Sequence, residues 1–300
     1  MAATSKPLRI LITGCSAGGI GSTLAQSLAS RGHHVFATLR NTSKLSLELS
    51  SRSNVTVLEL DVTAATSIAA AVKVVEEITE GKGLDILVNN AGTGYTMPLL
   101  DSDLEEGKRL FETNMWGLLA VTKAFMDLLI QARGTVVNIS SVGGEVNTPW
   151  IGIYAASKAA VTVLSETLRL EVAPLGVHVQ TVMVGVITTP FWANEPAFFL
   201  PQTSRYHAIK DTIAKCASGE AVPKGISPEV FAKQIVSDVL SRKSGQFYRG
   251  PMSSTVGFCS RYLPKFVVDS LISNGQGLGE LAESFKTSKQ EARISSSAST

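Results

Sequence analysis

Short β-branched runs alternate with stretches of helical periodicity through most of the 300 residues. Joining parallel strands takes a crossover of a dozen or more residues, so this alternation dictates βαβ units around a parallel sheet covered on both faces. Residues 8–13, Leu-Arg-Ile-Leu-Ile-Thr, read as the first buried strand. Ile20, Leu24 and Leu28 then fall at i, i+4 and i+8 of a helix that stops at Gly32. Further strands are expected at 35–39, 55–60, 85–89, 135–139, 177–182 and 246–249. Helices are expected at 66–79, 103–132 (one long element), 153–173 and 228–241, with an irregular, aromatic-rich stretch at 191–223. The predicted architecture is one doubly wound α/β domain of Rossmann type, about seven strands over residues 8–250, with the irregular stretch inside it. A segment at 251–284 follows, and the Ser/Lys-rich stretch 285–300 is expected to be a disordered tail.

Composition excludes several classes. The formal net charge is +2, from 27 basic and 25 acidic residues, with no concentrated basic face for nucleic acid. Cys15, Cys216 and Cys259 are scattered, as are the four histidines, so neither a disulfide framework nor a metal site is expected. A reducing, cytoplasmic setting fits. The first eight residues have no room for a signal peptide, and the most apolar helical stretch, 118–130, is interrupted by Lys123 and Asp127.

Between the first strand and first helix stands Thr13-Gly14-Cys15-Ser16-Ala17-Gly18-Gly19-Ile20-Gly21. Glycine lets the backbone turn sharply and approach a pyrophosphate, which then faces the amides of the helix N-terminus. Gly14, Ser16, Gly19, Ile20 and Gly21 are the candidate contacts; the plainer reading is a tight turn with close helix–strand packing. The second strand ends Leu39-Arg40-Asn41. An acidic residue there would bind the ribose 2′-hydroxyl of NAD, whereas a guanidinium pairs with the 2′-phosphate of NADP. Arg40 is therefore the candidate NADP selector, with a solvated strand-end arginine as the alternative.

Tyr154 and Lys158 are four residues apart on an expected helix, hence on one face. A nearby ammonium favours the phenolate, so a lowered tyrosine pKa is expected, along with proton exchange at a carbinol oxygen. With the glycine turn, Asp61-Val62, Asn89-Asn90-Ala91-Gly92, Asn114, Ser141 and Tyr154-x-x-x-Lys158 in this order, the chain resembles the short-chain dehydrogenases/reductases over about residues 8–250. The resemblance implies that Tyr154 is the general acid for carbonyl reduction and that Ser141 donates to the same oxygen. Lys158 would bind the nicotinamide ribose, and Asn114 would hold the water of a proton relay. Asp61 would contact the adenine and Asn89 would line the cofactor floor. Ile187 and Thr189 would meet the nicotinamide end. Read alone, Ser141 simply ends a strand and Asn114 is an internal polar group of a helix.

Two departures stand out from the family pattern. The turn is one residue longer at Ala17-Gly18-Gly19, and Val184-Gly185 replaces the usual Pro-Gly. The turn and the Phe-Ala-Thr-Leu-Arg strand end resemble fungal NADPH-dependent 1-acyldihydroxyacetone-phosphate reductases, and the latter also 17β-hydroxysteroid dehydrogenases. The resemblance implies a substrate lid at about 190–225, and Tyr95, Trp150, Phe191, Trp192, Phe198 and Phe199 either line an apolar substrate pocket or pack that lid itself. Basic residues of the lid (Arg205, Lys210, Lys215, Lys224) are nearly matched by Glu195, Asp211 and Glu220, so no strong phosphate anchor stands out. The expected activity is NADPH-dependent reduction of a hydrophobic lipid, polyketide or steroid-like ketone or aldehyde. The alternatives are an NAD-linked alcohol dehydrogenase and a non-catalytic NADP-binding regulator. Residues 256–272 mix Phe258, Tyr262 and Phe266 with Arg261 and Lys265. They are expected to cover the pocket; the alternative is peripheral contact with endoplasmic reticulum or a lipid droplet. By resemblance, a homodimer or homotetramer forms through the helices after strands four and five.

Overall fold

The computed structural model describes residues 6–297. Seven strands form one parallel sheet: β1 (Arg9–Thr13), β2 (His34–Leu39), β3 (Val55–Glu59), β4 (Ile86–Asn89), β5 (Thr135–Ser141), β6 (His178–Val184) and β7 (Gly245–Arg249). Their order is β3-β2-β1-β4-β5-β6-β7. A sheet covered on both faces has no polar side, which is why β1 reads Ile10-Leu11-Ile12 without alternation and all three are buried. The register runs Ile10↔Val35 on one side of β1 and Ile10↔Ile86 on the other. The longest pairing is β5 with β6, from Thr135↔His178 to Ser141↔Val184.

The described helices are α1 (Ile20–Ala29), α2 (Leu47–Ser50), α3 (Ala65–Thr79), α4 (Leu104–Phe111), α5 (Gly117–Ala124), α6 (Met126–Ala132), α7 (Gly152–Val172), α8 (Lys210–Ala217), α9 (Pro228–Leu240), α10 (Ser253–Tyr262), α11 (Lys265–Ser273) and α12 (Leu278–Ser297). Leu24 and Leu28 of α1 and Phe231, Ile235 and Val239 of α9 pack on Ile12, Val35 and Val88. On the other face Ile68 and Val75 of α3, Val121 of α5 and Leu129 of α6 pack on Leu11, Phe36, Leu87 and Val136.

Two sequence expectations need correction. The single helix expected over 103–132 is three segments. A π-helical turn at Glu112–Trp116 separates α4 from α5, and α6 leaves α5 at 55° beyond Phe125. Phe125 is fully buried with φ −93° and ψ 1°, so the helix breaks where this ring enters the core. No single described helix is long and apolar enough to cross a membrane; the bent pair from Leu104 to Ala132 passes that test by length and composition, and its apolar side is core.

The stretch from 285, expected to be disordered, is helical to Ser297, and residues 298–300 lie outside the described residues. The anchor of this helix lies just before that stretch. Leu281 packs on a cluster of Trp150, Ile209 and Ile213, and Gly277 lies so close to Ile209 that a Cβ there would meet it at 3.2 Å. The C-terminal segment divides in the same way. Val268 is buried, and Tyr248 abuts Gly257 while its hydroxyl donates to Glu145. Phe258, Tyr262 and Phe266 are exposed.

Phe125→Ala removes the ring that fixes the break between α5 and α6. An unfolding titration in urea should show a loss of about 3–5 kcal/mol with an unchanged slope.

Candidate active site

The carboxyl ends of β1 and β4 face a crevice, because the chain order runs outward in opposite directions from this pair. In an open parallel sheet this is where a ligand binds. Thr13 closes the strand pair: its hydroxyl accepts from the amides of Asn90 and Ala91, both at 3.0 Å. Asn90 Nδ2 returns the bond by donating to the carbonyls of Thr13 and Gly14 at 2.9 and 3.0 Å.

Above this clamp lies the glycine turn. Gly14 is left-handed (φ 73°), and a Cβ there would stand 2.8 Å from Ala91 Cα. A Cβ at Gly21 would meet Asn90 Nδ2 at 2.5 Å and the Gly14 carbonyl at 2.6 Å. The extra residue of the turn is absorbed at Gly18, also left-handed (φ 75°), which approaches Pro190 beyond β6. Gly19 is the N-cap of α1 with no side-chain cap, leaving the first amides of the helix, those of Ile20 and Gly21 included, for a ligand. Ser16 is exposed on the rim. Cys15 is not: its thiol is buried, donates to the Ile12 carbonyl, and is pushed up to about 12 by that burial. Arg40 stands exposed directly after β2 and, among the described residues, makes no ion pair. These features fit a dinucleotide: a cradle a Cβ would fill, free helix amides, and a free guanidinium at the adjacent strand end.

Ser141, Tyr154, Lys158 and Asn114 converge on the same crevice. Tyr154 and Lys158 rise from the first turns of α7, and the Lys158 Nζ lies 5.9 Å from the Tyr154 ring centroid. Ser141 ends β5; its Oγ accepts from the Gly143 amide at 3.0 Å and lies near the Tyr154 phenol. A Cβ at Gly143 would touch both Ser141 Oγ (3.3 Å) and the Tyr154 ring (3.7 Å). Gly92 serves likewise between Asn114 Oδ1 (3.3 Å) and Lys158 Nζ (3.7 Å). Asn114 occupies the π-turn, and its amide is held by Thr93 and by the Ser157 hydroxyl.

The electrostatics differ from the expectation of an acidic phenol. Burial pushes Tyr154 up to about 12; the hydrogen bond with Ser141 opposes this and the carboxylate of Glu195 adds to it. Burial also brings Lys158 down to about 8, with its Nζ donating to the Ile139 carbonyl at 2.9 Å. In this setting desolvation outweighs the attraction between the two groups.

Asn89 does not line the cleft. Its side chain is buried under the sheet, donating to Thr122 at 2.8 Å and to Asn138 at 2.9 Å, while Asn138 continues to Ser165. Strand alternation sends neighbouring side chains to opposite faces, and it is Asn90, quoted in the same motif, that holds the floor. Asp61 accepts from the amide and hydroxyl of Thr63 at the carboxyl end of β3. Ile187 bridges to Ile226, and Thr189 Oγ accepts from the Phe191 amide. Gly185 is needed for packing, since a Cβ would overlap the Pro251 carbonyl. Of the aromatics, Tyr95, Trp150 and Phe198 pack the lid, Phe199 is exposed, and Phe191 lies edge-on to Tyr154 at 5.8 Å with Trp192 behind it.

A family model described as short chain dehydrogenase matches residues 9–198, and the chain belongs to that family. The short-chain dehydrogenase ptmH of Penicillium ochrochloron is 46% identical over 260 residues, 87% of this chain and 94% of the relative. The NADPH-dependent 1-acyldihydroxyacetone phosphate reductase of Schizosaccharomyces pombe is 33% identical over 244 residues, 80% of each chain. The crystal structure of a short-chain dehydrogenase from Streptomyces avermitilis superposes with a TM-score of 0.73 at 27% identity, covering 96% of this chain and 99% of that one. The protein is thus an oxidoreductase built to use a nicotinamide cofactor.

The Lys158 shift carries a sign. Its folded value near 8 lies below the ordinary 10.5, so between these two only the unfolded chain holds the proton and stability rises with pH. Below that window the burial cost is felt in full; the ceiling is about 1.4 kcal/mol per unit of difference. Tyr154 acts oppositely, but only above its ordinary 10. Urea unfolding at about pH 7.5 and about pH 9.5 should show the rise in the wild type and its loss in Lys158→Met.

Proposed function

We propose that this enzyme is an NADPH-dependent reductase converting a hydrophobic ketone or aldehyde to the alcohol, with Tyr154 as general acid. The observation that carries this reading is the convergence of Tyr154, Ser141 and Lys158 on the dinucleotide crevice, with Lys158 Nζ 5.9 Å from the Tyr154 ring and a Cβ on Gly143 placed to touch both Ser141 Oγ and that ring. A protonated phenol is the form that delivers a proton to a forming alkoxide. When bound, NADPH supplies the hydride.

Each neighbouring residue has its own part. Ser141 presents a hydroxyl to the same substrate oxygen, with its orientation set by the Gly143 amide. Lys158, one helical turn from Tyr154, would bind the ribose hydroxyls, and Asn114 beside it is fixed by three hydrogen bonds. Arg40 would pair with the 2′-phosphate, a role supported by its exposure, by the absence of a carboxylate at that strand end, and by the NADPH dependence named for the fission-yeast relative. Phe191 and Trp192 give the substrate an apolar wall against Tyr154. Leu104, Trp116, Val163 and Leu170 stand exposed along α4 to α7, a face that two copies would bury on self-association.

Tyr154→Phe should lower NADPH-dependent carbonyl turnover by about 10²–10⁴-fold while leaving the NADPH dissociation constant within about twofold. Full activity in that variant sinks the mechanism. Arg40→Asp should cut the NADPH-over-NADH ratio of kcat/KM by at least roughly tenfold, since a carboxylate repels the 2′-phosphate that a guanidinium attracts.

A further inference from the structure

Glu195 is the one acidic lid residue drawn in to Tyr154. It follows a short helical turn, Trp192–Asn194, and is half-buried although neighbouring Asn194 and Pro196 are exposed. Its carboxyl group occupies the space that a side chain at residue 94 would fill. A Cβ on Gly94 would overlap Glu195 Oε1 and would also meet the Phe191 ring at 2.7 Å. Phe191 is the ring that lies against Tyr154 at 5.8 Å, so glycine, carboxyl, phenyl and phenol form one continuous group. Thr96 lies beside the carboxyl group, and its buried hydroxyl has no hydrogen-bond partner among the described residues. No lysine or arginine pairs with Glu195 among the described residues.

A buried carboxyl group normally has a cationic partner or neutralises itself. This one has no counter-charge among the described residues, and its burial shifts it toward the neutral form. We infer that Glu195 is a specificity-determining residue that rejects anionic substrates and favours neutral or cationic ones carrying a hydrogen-bond donor. The inference rests on the reductase reading above and adds the charge class of the substrate. Its reach follows from Coulomb's law: at ~6 Å and an effective dielectric near ~20, two like charges differ from a neutral pair by about a hundredfold in binding, and solvent screening at a half-buried site reduces this to roughly tenfold. The same charge raises the cost of a phenolate at Tyr154, consistent with that phenol remaining protonated. Burial pushes Glu195 itself up to about 7, so an assay at about pH 8.5 keeps it ionised. By this account the phosphorylated ketone named for the fission-yeast relative is a poor substrate here.

The test uses three para-substituted benzaldehydes differing in charge: nitro (neutral), carboxylate (anionic) and trimethylammonio (cationic). NADPH consumption gives kcat/KM for each, and ratios taken within one enzyme cancel differences in folded fraction. The wild type should use the anion at least roughly tenfold less well than the neutral aldehyde, and the cation at least as well. Glu195→Gln should raise the anion-to-neutral ratio by roughly tenfold or more, and Glu195→Asp, which keeps the charge, should restore most of the discrimination. Turnover of all three that is blind to charge in the wild type, or a ratio unmoved in Glu195→Gln, overturns the selectivity and leaves the reductase reading standing. Absence of turnover with every aldehyde overturns both.

Discussion

The hydrogen bonds between Thr13 and the Asn90-Ala91 backbone hold together the one place in the sheet where the winding reverses direction. At every other strand junction the connecting helix covers the seam, but here the helices diverge and leave an opening. An open seam in a parallel sheet exposes two strand ends whose polar groups need partners. Thr13 and Asn90 satisfy each other side chain to backbone, so the polar groups at the base of the opening are paired. The glycine turn is built directly on that clamp, and its geometry is meaningful only because the floor does not move.

Around this opening the chain uses glycine as a spacer between functional groups. Gly92 separates Asn114 from Lys158, Gly143 stands against Ser141 and Tyr154, and Gly94 admits Glu195. Each position lets two side chains approach where a methyl group would hold them apart. Desolvation is the cost of such crowding: it raises the phenol of Tyr154 and lowers the ammonium of Lys158, so both groups lean toward their neutral forms.

The sheet was legible because period-2 and continuous apolar runs are local signals. All seven strands appear within two residues of where Ile10, Val35, Ile86 and their counterparts place them. Tyr154, Lys158 and Ser141 were legible because spacing along a helix or strand end is also local, and the structure brings them together. What escaped depends on long-range contact. The π-turn around Asn114 and the break at Phe125 are set by packing across the sheet, not by any breaker residue. Asn89 and Asn90 are indistinguishable as letters, and only strand alternation decides which one reaches the crevice. The phenol's direction of shift was misjudged because an ammonium four residues away is visible in sequence and burial is not. Glu195 gave no signal beyond membership of a nearly neutral lid.

The end of the chain is coupled to the start of the catalytic helix. Trp150 stands two residues before α7 in a left-handed conformation (φ 70°), its indole donating to the Gln276 carbonyl and its ring shared with Leu281 and Ile209. Residues more than a hundred positions downstream thus act as a buttress for the backbone from which Tyr154 projects. Shortening the protein at its carboxyl end would unseat that indole before it touched any strand, and sequence drift in the last two helices would be felt as a change in the pocket.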